Sequence, residues 1–69
     1  MVTIFGKDAC PYTQAAVDDC KRRGVAFEYV DVKRNPADLD RMLRLTGNQR
    51  RVPVIVSADG SVTIGFGGT

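Results

Sequence analysis

The tetrad Cys10-Pro11-Tyr12-Thr13 holds the residues of this chain best suited to chemistry. It follows a short apolar run, Val2-Thr3-Ile4-Phe5, and opens a stretch of helical character from Thr13 to Arg23. A cysteine between a strand end and a helix start sits where unpaired backbone N–H groups and the positive end of the helix dipole converge. That setting favours thiolate over thiol and lowers a cysteine pKa from about 8.5 toward roughly 3.5–7.5. Pro11 suits the first helical position, because its missing N–H is one the helix leaves unpaired anyway. Cys10 is therefore a candidate attacking thiol. Position 13 carries Thr13 in place of a second cysteine. Any disulfide that Cys10 forms must be resolved by a thiol from a small molecule, a partner or elsewhere in the chain.

Cys20 is a poor candidate for that role. It falls on the Ala16, Val17, Cys20 face of the first helix and is expected in the core. Ten helical residues put it roughly 15 Å from Cys10, whereas a disulfide holds its Cα atoms within about 7 Å.

The elements that must position Cys10 are short and simply ordered. Val2–Phe5 is a buried-type strand, and 7–10 is a loop. A helix then runs to about Arg23, with Gly24 as its C-cap. Val25–Val32, with Phe27, Tyr29 and Val30, reads as a second strand. Asn35 caps a second helix that Pro36 opens, with Asp38 in its first turn. The apolar stripe of that helix is Leu39, Met42, Leu43 and Leu45, and Gly47-Asn48 ends it. Val52–Val56 is a third strand, Asp59-Gly60 a two-residue hairpin turn, and Val62–Ile64 a fourth strand. The tail Gly65-Phe66-Gly67-Gly68-Thr69 is irregular. The first β-α-β unit is expected to be right-handed with parallel strands, and the last two strands antiparallel.

Composition narrows the function classes. The 69 residues allow one small domain, near the lower size limit for a single core. With 43% hydrophobic and 26% charged residues the chain is ordinary for a globular protein. A net charge of +2 gives no case for nucleic acid. No apolar stretch approaches the ~20 residues that span a membrane, and the start lacks the pattern of a signal peptide. With no His and no Cys-x-x-Cys, no metal site is expected. A cytoplasmic protein is the expectation.

Lys7-x-x-Cys10-Pro11-Tyr12 after a strand, the β-α-β-α-β-β order, and Val52-Pro53 opening the third strand resemble the glutaredoxin family. The resemblance spans residues 1–69. It implies an α/β thioredoxin-like fold, a four-stranded mixed sheet, and absence of the family's C-terminal helix. It also implies Cys10 as nucleophile, glutathione as co-substrate and disulfide-containing proteins as partners. By the same resemblance Pro53 follows a cis bond, and the Val52 backbone pairs with the cysteine of glutathione or with a substrate peptide. Lys7 is either a solvated lysine or a residue that stabilises the thiolate or pairs with a glutathione carboxylate. Tyr12 either walls the glutathione groove or simply packs. Thr13 either donates to the Cys10 sulfur or caps the helix. One of Arg51, Arg50 and Gln49 is a candidate to take the glycyl carboxylate. Gly67 and Gly68 are either an anion nest or a flexible tail.

This sequence departs from the family's pattern at three places. Thr13 makes it a monothiol Cys-Pro-Tyr-Thr variant, its tail lacks the Gly-Gly-x-Asp-Asp pattern, and the last helix is absent. Gly65-Phe66 and Arg51 are closer to the NrdH-type redoxins, which draw electrons from thioredoxin reductase. The short length and Gly-Gly-Thr tail are also similar to very short bacterial glutaredoxin-like proteins, some with a terminal selenocysteine or cysteine after that tail. A chain continuing past Thr69 is expected to bring a resolving group to Cys10 on a glycine hinge. Besides glutathione-linked disulfide reduction, three other readings stand: a reductase-fed redoxin, an iron–sulfur carrier built from Cys10 and glutathione of two protomers, and a silent binding scaffold. Without the last helix, one sheet face beside the first helix lies open. A homodimer through that face is expected.

Overall fold

A computed structural model of the chain describes residues 1–66. The elements are β1 (Val2–Gly6), α1 (Pro11–Arg23), β2 (Phe27–Asp31), α2 (Pro36–Thr46), β3 (Val54–Val56) and β4 (Val62–Ile64). They build one mixed sheet in the order β2-β1-β3-β4. β1 and β2 run parallel, with Val2 opposite Phe27 and Gly6 opposite Asp31. β1 pairs antiparallel with β3, and β3 antiparallel with β4. The order of elements, the mixed sheet and the strand directions agree with the reading of the sequence.

Side chains alternate across a strand, so β1 feeds two cores, one on each face of the sheet. Ile4 packs with Ala16 and Cys20 of α1. Phe5 packs with Val32, Met42 and Val54 on the α2 side. Burial on both faces explains why β1 reads as a continuous apolar run. Cys20 takes its expected core position on the α1 side and is 4% exposed.

Both helices stop in the same way. Gly24 has φ 68° and Gly47 φ 67°, a left-handed conformation that a residue without Cβ adopts freely. After α1, the Gly24 N–H donates to the Lys21 carbonyl and the Val25 N–H to Cys20, at 3.2 and 2.9 Å. After α2 the Asn48 N–H donates to Leu43 at 2.8 Å. These bonds satisfy carbonyls that the helix end leaves open. They also use up Val25, which is why β2 starts at Phe27 and not at Val25. β3 likewise starts at Val54 and not at Val52, since Pro53 has no N–H for the ladder.

Two further expectations give way to packing. Leu45 is 45% exposed, and the buried residue at the end of the α2 stripe is Thr46. Positions 39, 42, 43 and 46 follow the i, i+3, i+4, i+7 spacing of one helix face, and 45 does not. The β3–β4 hairpin has a three-residue loop, Ala58-Asp59-Gly60, and not a two-residue turn. The Gly60 N–H donates to the Ser57 carbonyl and the Ser57 N–H to Ser61, each at 2.9 Å. Gly60, at φ 92°, supplies the left-handed residue such a loop uses.

The end of β1 comes very close to the start of α1. A Cβ placed on buried Gly6 would lie 2.6 Å from Thr13 Oγ1, and Thr13 is fully buried. Neither group has room to move. Gly6→Ala is expected to destabilise the fold by about 1–3 kcal/mol, read as a lower urea midpoint at unchanged slope. Wild-type stability in that variant overturns the close contact.

Candidate active site

Cys10 is the N-cap of α1, with φ −87° and ψ 117°, and Pro11 occupies the first helical position. Its carbonyl accepts from the Gln14 N–H at 3.2 Å, and its own N–H donates to Lys7 at 3.1 Å. The sulfur is thus fixed at the helix start and half-buried. Its thiol lies 4.0 Å from the Val52 carbonyl, across the mouth of the sheet.

Burial pushes the Cys10 thiol up. Against it act the Thr13 hydroxyl, the Thr13 and Tyr12 backbone N–H groups and the Lys7 charge, and together they hold the pKa below the ordinary value. All of these favour the anion by donating to it or by lying near it with positive charge. Thr13 contributes most among them, and its own situation explains why. The Thr13 oxygen is completely buried and meets no partner in ordinary hydrogen-bond geometry. A buried hydroxyl without a partner costs about 1–3 kcal/mol. The Cys10 sulfur is the group it can serve, and a thiolate is a far better acceptor than a thiol.

The loop between β1 and α1 is tethered from β2. Tyr29 donates its phenol to the Asp8 carboxylate at 2.7 Å, and Arg34 lies 4.0 Å from Asp8 and 3.4 Å from Asp31. Burial and the Asp8 carboxylate push the Tyr29 pKa well up. Gln14 reaches back to the Asp8 carbonyl at 3.4 Å. On the other side of the sulfur, Val52-Pro53 is a cis bond. The paired register of β1 and β3 ends at Phe5–Val54, so the Val52 peptide lies outside that ladder. The Pro53 carbonyl accepts from the Gly65 N–H at 2.8 Å, which ties the end of β4 to this corner. Thr46 secures the approach to it: its hydroxyl donates to the Gln49 carbonyl at 3.0 Å and accepts from the Gln49 N–H at 3.1 Å.

A groove of about 340 Å³ lies alongside. Lys7, Lys33 and Arg50 line it together with Val32, Leu39, Met42 and Val52. It sits at the carboxyl ends of β1 and β2, where open α/β sheets bind ligands.

A family model described as Glutaredoxin matches residues 2–62. The chain belongs to the glutaredoxin family. Glutaredoxins are thiol–disulfide oxidoreductases, and this chain is one. It is similar to the glutaredoxin-like NrdH-redoxin from Escherichia coli at 30% identity and TM-score 0.79, over 96% of this chain and 83% of that one. The thioredoxin-like protein BC3987 matches at 28% identity and TM-score 0.85, over 97% and 89%. The glutaredoxin from Archaeoglobus fulgidus has the same fold, with TM-score 0.81 at 24% identity, over 96% and 75%. A search of the curated proteins returned no match.

This glutaredoxin brings Cys10, Thr13, Lys7 and the Val52-Pro53 bond together. Tyr12 is 41% exposed beside the sulfur and does not line the groove. Arg50 lines it and the exposed Arg51 does not. Gly67 and Gly68 lie outside the described residues. Sequence reasoning missed Gly6, Lys33 and the Asp8–Tyr29 tether. Of these only Gly6, a glycine at a strand end just before the reactive loop, left a signal in the sequence.

Replacing the hydroxyl with a methyl group separates the role of Thr13 from its packing. Thr13→Val is expected to raise the Cys10 pKa and slow its alkylation at acid pH by roughly tenfold, the worth of one hydrogen bond to a charged group. The fold should not weaken at acid pH, because an orphan hydroxyl has been removed. Unaltered alkylation in that variant contradicts the role. Cys10 also leaves a sign in stability. Its folded pKa is depressed, so its contribution is full above the unfolded value, for which 9.0 is the reference, and is lost as pH falls through the folded pKa. In urea titrations wild-type stability should rise with pH across that window relative to Cys10→Ser. Parallel curves argue against a depressed pKa.

Proposed function

We propose that this glutaredoxin is a glutathione-linked monothiol oxidoreductase with Cys10 as its nucleophile. The observation that carries the reading is the sulfur at the start of α1, held toward thiolate by Thr13 and by two backbone N–H groups. The Cys10 thiolate attacks the glutathione sulfur of a mixed disulfide. A Cys10–glutathione disulfide forms, and the other sulfur leaves as a thiolate that takes a proton from water. The thiolate of a second glutathione attacks the glutathione sulfur of that adduct. Glutathione disulfide is released and the Cys10 thiolate returns. A low pKa helps at both stages, since the same sulfur attacks in one and leaves in the other. Lys7 and Arg50 line the groove and suit the glycyl carboxylate, while the unladdered Val52 peptide suits backbone pairing with the tripeptide.

A second reading has a specific observation behind it. The structure of the NrdH-redoxin is described in terms of a thioredoxin-like activity profile, and that protein is 30% identical to this chain. In a reductase-fed mechanism the reductase would donate two electrons to a disulfide of Cys10, breaking the S–S bond and returning the Cys10 thiolate. Thr13 at the resolving position weighs against it, because Cys10 has no neighbouring thiol with which to present an internal disulfide.

Oxidised glutathione and intact mass distinguish the two. The reduced protein is expected to gain one glutathione, on Cys10 alone, and to turn over a glutathionylated peptide when glutathione and its reductase are present. Cys10→Ser should lose both activities. Absence of the adduct, with turnover supported by thioredoxin reductase, would transfer the conclusion to the second reading.

A further inference from the structure

Four of the ten Lys and Arg side chains are held in ion pairs among the described residues. Arg22 and Arg23 pair with Asp19, Arg34 with Asp31 and Asp8, and Arg41 with Asp38. The three that line the groove, Lys7, Lys33 and Arg50, make no ion pair among the described residues, and no acid lines the groove with them. Arg51, the next residue in the chain, is exposed and also has no ion pair there. Asp31 is the acid nearest in sequence to Lys33, but its carboxylate is engaged by the Lys33 backbone N–H at 2.9 Å and by Arg34. Asp8 is held by Tyr29. The local acids are thus occupied elsewhere: Lys33 and Arg50 have no counter-charge among the described residues, and Lys7 has the Cys10 thiolate.

Three separate loops supply these charges. Lys7 comes from the β1–α1 loop, Lys33 from the β2–α2 turn and Arg50 from the α2–β3 loop. Between them the floor is apolar, with Val32 and Met42 buried and Leu39 and Val52 partly so. The glycyl carboxylate of glutathione engages Lys7 and Arg50 in the reading above, which leaves Lys33 unused. A positive rim around an apolar floor, open to an unladdered peptide at Val52, has the complement of an extended peptide carrying carboxylates and an apolar side chain.

We propose that the groove selects protein disulfides whose cysteine is flanked by acidic residues, with Lys33 as the specificity residue. This rests on Cys10 acting as the attacking thiol. In the step concerned the Cys10 thiolate attacks the peptide cysteine's sulfur, a Cys10–peptide disulfide forms, and the other sulfur departs as a thiolate that is protonated by water. Glutathione then attacks the peptide sulfur or Cys10 and is itself oxidised into the disulfide that results.

The test uses the reduced protein and short peptides carrying one cysteine activated as a neutral 2-thiopyridyl disulfide, with flanking residues Glu, Gln or Lys around a leucine. Released thiopyridone gives the rate, and intact mass gives the Cys10–peptide adduct. The Glu peptide is expected to react about tenfold faster than the Gln peptide at low salt, the combined worth of a few exposed ion pairs. That advantage should collapse in ~1 M salt, where the screening length is about 3 Å. Lys33→Glu should remove or invert the ranking of Glu over Lys peptides, and Lys33→Gln should reduce it. Equal rates for the Glu and Gln peptides in wild type overturn the proposal, as does an acid preference left intact in both Lys33 variants. An acid preference shown by glutathione disulfide but not by the peptides also overturns it and leaves the cations to a small anionic thiol. No adduct with any peptide, together with no adduct from oxidised glutathione, would instead remove Cys10 as the nucleophile.

Discussion

The approach of α1 to the end of β1, where Gly6 and Thr13 meet without room for a Cβ, is the constraint on which the site depends. It fixes the first turn of the helix against the central strand, so the N-terminal N–H groups and the Cys10 sulfur inherit the rigidity of the sheet. Only a glycine at position 6 permits it. Thr13 is buried as a consequence, and its burial strips the hydroxyl of water and of every ordinary partner. The reactive sulfur stands where that loss can be made good. A packing requirement of the fold and an electrostatic requirement of the chemistry thus fall on one side chain.

The surrounding structure serves to hold two loops in register with that sulfur. On one side Tyr29 and Arg34 hold Asp8, and with it the segment leading to Cys10. On the other, Gly65 bonds to Pro53, and the Val52 peptide is kept near the thiol but outside the ladder. The two cores lie on opposite faces of β1, so the central strand cannot shift without disturbing both. This suits a small protein: few buried side chains are available, and most of them bear on the strand that leads to Cys10.

Much of this was legible in the sequence because the signals were local. Pro11 after a cysteine, Asn35-Pro36, and glycines at 24 and 47 marked the helix ends by their backbone preferences. Short runs of β-branched and aromatic residues marked the strands. What the sequence did not disclose came from contacts distant in the chain. The extra residue in the Ala58-Asp59-Gly60 loop depends on a bond between Ser57 and Ser61. The choice of Thr46 over Leu45 for the core depends on the phase of α2 against the sheet. Arg50 rather than Arg51 lines the groove because of how the chain leaves α2, and Lys33 joins it only when β2 is laid beside β1. The cis bond at Pro53 was expected from family resemblance alone and is found.

Thr46 offers a last consequence. Its hydroxyl both donates to and accepts from Gln49, while the Asn48 N–H closes on Leu43. The three residues after α2, Gly47 to Gln49, are therefore bonded into a compact corner, not strung as a free connection. An arginine carried on such a corner has little backbone freedom to surrender when an anion arrives, and ordering a flexible residue costs about 1–2 kcal/mol per position. The groove is in this sense preorganised. A protein of this size can then discriminate among ligands with few contacts, because the backbone that leads to Arg50 is already bonded in place when the chain has folded.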